Sequence, residues 1–196
     1  MDNMFSRMAQ SRNIFKTHLK TNGEFSHVIW SGDGRCASFK MQSDSGVYNV
    51  NAQFILYEDE LKLILETGIH CADPYYIQMI SYLAFASQAL GTNTKYTINE
   101  NGMVLTTYTL SFYSFYIKRV EFLKAFCHLK CSIDYCVEDI KKIACGNPVF
   151  DYEFVQSRID GRMERDLVDS LKKTIAEIKN NSTGVQEDDE IDSEKY

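Results

Sequence analysis

Hydrophobic spacing along the chain changes from helical to alternating and back. In residues 3–20, Met4, Phe5, Met8, Phe15 and Leu19 recur at near-helical intervals, with Arg7, Arg12, Lys16 and Lys20 between them, and Gly23 stands where a helix would close. From Phe25 to Thr67 the period becomes two. Phe25, His27 and Ile29 alternate towards Trp30, and Gly32-Asp33-Gly34 supplies a tight turn before Cys36–Met41. After the turn Ser43-Asp44-Ser45-Gly46, Val47–Tyr57 and Leu61–Glu66 form the clearest strand pair, with Val50, Ala52, Phe54 and Leu56 alternating against Asn49, Asn51 and Gln53.

Asp73-Pro74 then predicts a helix start, because the carboxylate can accept from an orphan N–H and proline is tolerated in a first turn. This helix runs to Leu90 and stops at Gly91. Lys95–Asn99 and Met103–Ser111 read as a hairpin around Asn101-Gly102, and a long helix over 116–145 ends at Gly146, with Pro148 preventing continuation. A further helical extension is expected over 147–180, with Val168, Leu171, Ile175 and Ile178 on one stripe. Residues 181–196 read as a disordered acidic tail. The sum is an α+β chain in the order α-β-β-β-β-α-β-β-α-α, with an antiparallel sheet of about five or six strands and a core over residues 1–146.

Composition agrees with a single folded core: 196 residues, 44% hydrophobic and 13% aromatic, with two prolines. The net charge is −6, but the tail alone holds six acidic residues against Lys195. The remainder carries 21 acidic against 20 basic residues and is close to neutral, with no basic stripe to suit nucleic acid. The N-terminus has no secretory pattern, and the apolar run Ile77–Leu90, broken by Gln78, Ser81, Ser87 and Gln88, falls short of the roughly 18–20 residues that span a bilayer. These features predict a cytoplasmic protein without membrane contact, whose six cysteines are reduced thiols.

The hairpin 47–57 with 61–66, the helix opened by Asp73-Pro74, the turn Asn99-Glu-Asn-Gly102 and the segment Ile133-Asp-Tyr135 to Ile140-Lys-Lys-Ile143 together resemble the bacterial YbjN-type family of sensory transduction regulators. The likeness covers roughly residues 20–146. It implies the fold of type III secretion chaperones and a small cytosolic binding module, commonly dimeric, that holds another polypeptide.

Helical spacing over residues 74–90 predicts that Tyr76, Ile80, Leu83, Ala84 and Leu90 pack on the sheet. The opposite face then carries Tyr75, Gln78, Tyr82, Phe85 and Ala89 beside Ser81 and Gln88. Aromatic rings among short uncharged side chains suit a protein-binding face, because they bury area without stranding charge. Cover by another part of the same chain, such as the 149–180 helix, is the alternative.

Cys127, His128 and Cys131 are the best candidates for metal or redox chemistry, although the paired Cys-x-x-Cys spacing of a structural zinc site is missing and small semi-buried thiols explain them as well. His18, His27, His70 and His128 read as surface or capping residues without a nucleophile signature. The aromatic run Tyr108, Phe112, Tyr113, Phe115 and Tyr116 offers a platform for a flat ligand, or core and loop anchors. The resulting expectation is a non-enzymatic, chaperone-like or regulatory protein, a homodimer with no catalytic residue, cofactor or metal. A Cys/His metal or redox protein and a small-ligand sensor are the alternatives.

Overall fold

A computed structural model describes residues 4–90 and 93–147, together with Lys172. The expected extension over 147–180, Asn147 and Lys172 apart, and the tail over 181–196 lie outside the described residues. Helix α1 (Met4–Thr21) precedes strands β1 (Phe25–Trp30), β2 (Cys36–Ser43), β3 (Gly46–Ile55) and β4 (Glu60–His70). Helix α2 (Tyr76–Leu90), strands β5 (Thr94–Ile98) and β6 (Met103–Ser111), and helix α3 (Arg119–Ala144) follow. The six strands form one antiparallel sheet in the order β1-β2-β3-β4-β6-β5, flanked by the helices.

Alternation along each strand sends one set of side chains under the helices and leaves the other on an open face. Register aligns Phe39, Val50, Leu65, Thr106 and Tyr96 in one buried row across five strands. The next row is Ala37, Ala52, Leu63, Tyr108 and Thr94. The open face carries exposed Ile29 and Val47 beside polar side chains that satisfy one another: the Ser38 hydroxyl donates to Asn51 Oδ1 at 2.6 Å, and the Asn51 and Asn49 amides donate to Glu66 at 3.0 and 3.3 Å.

Strand β4 runs four residues beyond the expected Glu66. Pairing shifts between Glu66 and His70 around Gly68, whose φ of +70° suits glycine, and the Thr67 hydroxyl spans the irregularity by donating to the Val104 carbonyl at 2.7 Å. The helix start at Asp73-Pro74 also differs in detail. Residues Asp73–Tyr75 make a single 3-10 turn, and the Asp73 carboxylate makes no capping bond, so only the proline performs its expected part.

Helix α1 is fixed by Phe15, which Trp30, Phe39, Phe54, Phe122 and Phe126 ring at centroid distances of 4.9–6.1 Å. Its Ser11 hydroxyl accepts from the Ile117 N–H at 2.8 Å, tying the helix to the approach to α3. The β2–β3 turn is clasped onto α3 by Asp134, which accepts from the Ser43 hydroxyl at 2.6 Å, the Ser45 N–H at 2.9 Å and the Ser45 hydroxyl. Helix α3 ends as expected at Gly146, with Gly146 N–H to Ile143 and Asn147 N–H to Lys142, both at 2.9 Å.

Candidate protein-binding surface

Helix α2 carries the residues singled out for binding, and its rotation differs from the expected one. Met79, Tyr82, Leu83, Ala86 and Leu90 form its buried stripe, against β5 and α3. Tyr76 and Ile80, expected against the sheet, are exposed together with Ile77, and Ala84 also faces outward. Of the expected contact residues, Gln78 is exposed, while Tyr75, Phe85 and Ala89 are half-buried. Tyr82 is fully buried, which removes it from any free surface.

Polar chemistry explains the turn of the helix. The Tyr82 hydroxyl donates to Asp139 of α3 at 3.2 Å, and the neighbouring Tyr96 hydroxyl donates to the Ser132 carbonyl at 2.7 Å. Both phenols are pushed above their ordinary range, first by burial and then by the adjacent Cys136 thiol. They therefore remain neutral donors. A buried phenol without a partner would be costly, so α2 settles where Tyr82 meets Asp139 and Ile77 stays outside.

Tyr75 also has a structural task. A Cβ on Gly146 would lie 2.5 Å from Tyr75 Oη, so the ring covers the C-terminal end of α3 and needs a glycine there. What α2 leaves outward is Ile77, 81% exposed, with Ile80, Tyr76, Gln78, Ser81, Ala84 and Gln88. No acidic or basic residue occurs from Pro74 to Thr94. The outer face is thus uncharged over the whole helix, with Tyr76, Ile77, Ile80 and Ala84 set among the polar but neutral Gln78, Ser81 and Gln88.

The cysteine and histidine candidates are occupied otherwise. Cys127 and Cys131 are buried thiols, and His128 is half-buried and stacks on Tyr108 of β6 at 5.4 Å. Its pKa is lowered by burial and by Lys124. Among the described residues, no group of three or more histidine, cysteine or acidic side chains could hold a metal ion. None of the six cysteines is joined in a disulfide. Among the described residues no helix is long and apolar enough to cross a membrane.

The aromatic run after β6 divides. Tyr108 and Phe112 belong to the core, Tyr113 and Phe115 are exposed, and Tyr116 is half-buried on the rim of an open groove of about 450 Å³. Ile14, Thr17 and His18 of α1 line this groove with Lys118 and Arg119 at the start of α3. His18, expected at the surface or at a cap, is 2% exposed, stacks on Phe126 and packs at a tilt against Phe25, both at 5.6 Å. Neither ring nitrogen has a hydrogen-bond partner. Burial, with Arg119 as a second cause, lowers its pKa to about 4. Sequence reading missed His18 because the groove joins residues about a hundred positions apart.

No protein-family model matches the chain, and no curated protein matches it. Among solved structures it is similar to a chain of the HopA1-SchA chaperone-effector complex, at 12% identity over 69% of this chain and 96% of that chain, with a TM-score of 0.44.

Proposed function

We propose that this chain is a non-enzymatic, cytoplasmic protein-binding module, chaperone-like or regulatory, that pairs with a second copy of itself through α2 and holds another polypeptide in that state. The outer face of α2 carries the reading. A two-fold axis sets a surface against itself, so any charge at its centre would meet its own like; a helix with isoleucines and short neutral side chains avoids that cost. The open sheet face lacks this quality, because its Ser38, Asn51 and Glu66 already satisfy one another.

Sedimentation velocity on the full chain tests the contact. The parent is expected to sediment as a dimer, and Ile77→Asp with Ile80→Asp as a folded monomer. A parent that remains monomeric at every concentration, or a double variant that still dimerises, contradicts the proposal. The other readings do not organise the residues as well: Cys127 and Cys131 are buried, and the groove at His18 lies away from α2.

A further inference from the structure

We infer that Asn101 is a site of spontaneous deamidation, a slow non-enzymatic modification that writes a carboxylate, and in part an isoaspartyl linkage, into the β5–β6 turn. This site is separate from the α2 face and does not depend on it. The Gly102 backbone nitrogen attacks the side-chain carbonyl carbon of Asn101: a C–N bond forms, the nitrogen gives up its proton, and ammonia leaves. Water then opens the cyclic imide at either carbonyl, which yields aspartate or isoaspartate.

The turn is built for this chemistry. Asn101 is exposed, and its carboxamide makes no hydrogen bond among the described residues. The residue after it has to be glycine: Gly102 has a φ of +77°, and a Cβ there would lie 2.9 Å from the Cys71 carbonyl oxygen. Glycine is also the follower that hinders the attack least, because no side chain shields its nitrogen. The close approach of Cys71 therefore imposes a reactive dipeptide on the turn. One restraint opposes it, since the Gly102 N–H donates to the Asn99 carbonyl at 2.9 Å. Opening a single turn bond of this kind slows the step by no more than about tenfold.

A second Asn-Gly pair in the chain, Asn22-Gly23, is held differently. Asn22 is half-buried, and its Oδ1 accepts from the Glu24 N–H at 3.1 Å. Its own N–H donates to the His18 carbonyl at 3.2 Å, and Lys130 fixes the Glu24 carboxylate at 2.8 Å. The Asn22 carboxamide is thus tied into the junction of α1 and β1, so structure alone separates two identical dipeptides. Conversion at Asn101 also reaches past the turn. Isoaspartate adds a backbone carbon and so disturbs two bonds that grip the end of β4, Cys71 N–H to the Gly102 carbonyl at 2.9 Å and His70 Nδ1 to the Asn101 carbonyl at 3.1 Å. A carbonyl only accepts, so His70 donates through Nδ1.

Incubation of the full-length protein at neutral pH, with digestion and peptide mass spectrometry at intervals, tests the site, and the same chain in denaturant gives the reference rate. In the folded protein, Asn101 is expected to gain the mass of amide-to-acid conversion within about tenfold of its unfolded rate, with isoaspartate beside aspartate. Asn22 should lag Asn101 by at least about tenfold, because its carboxamide must first leave the Glu24 N–H. Magnetic resonance of the His70 ring should show a new signal growing in step with the Asn101 product. In Asn101→Gln, whose longer side chain closes a ring reluctantly, both the mass gain at this peptide and the new His70 signal should vanish. Conversion of Asn101 suppressed by more than about tenfold on folding, or conversion of Asn22 as fast as that of Asn101, would overturn the inference.

Discussion

The two halves of the helix layer are built from different materials. Around Phe15 the interior is a nest of aromatic rings, joined by α1, the first strands and the N-terminal half of α3. Around α2, β5 and the C-terminal half of α3, the interior is threaded with phenols, Cys136 and Asp139. Apolar packing is non-directional and fills space, whereas a buried hydroxyl has to find one partner. The first half therefore gains stability from area, and the second fixes a rotation. That rotation decides which side of α2 remains outside.

Phe15→Ala gives the largest expected effect. Removing the ring at the centre of the nest should destabilise the protein by about 3–5 kcal/mol, read from denaturant unfolding. A loss below about 1 kcal/mol would mean that the first half does not depend on its aromatic centre.

Acid gives the next. His18 titrates near pH 4 in the folded protein, against about 6.5 in an unfolded chain, so the unfolded state takes up the proton first. Its contribution is complete above about pH 6.5 and is lost as pH falls towards 4, on the order of 2–3 kcal/mol. In His18→Phe that slope should disappear from the pH dependence of unfolding, and the variant should be more stable at neutral pH because two unpartnered nitrogens are gone. Tyr82→Phe should cost about 1.5–3 kcal/mol, since it removes a hydroxyl donated to a buried carboxylate while keeping the ring. A neutral result would detach the rotation of α2 from Asp139.

The alternating strands were legible because half-buried sheets write themselves as a period of two, as Val50, Ala52 and Phe54 do. Gly146 was legible for the same local reason: a left-handed closing position favours glycine. The face of α2 was not. A helix without charge marks its outward direction only through Gln78, Ser81 and Gln88, too few to fix its rotation, and what selects the inward one is Asp139, 57 residues from Tyr82. Gln78 stays at the surface, whereas Tyr75 covers Gly146 and Tyr82 enters the core, so the aromatic character expected of the outer face is supplied by Tyr76 beside Ile77 and Ile80. The extension of β4 past Gly68 was equally hidden, because it relies on Thr67 bonding across to β6.

Helix α2, held inward by Tyr82 and paired outward by Ile77 and Ile80, is the centre of the account, and the concentration dependence of thermal unfolding addresses it directly. A dimer gains stability by mass action, so the Tm of the parent should rise with protein concentration, while that of the Ile77→Asp, Ile80→Asp chain should stay constant. A parent Tm independent of concentration, or an equal rise in the double variant, would contradict it.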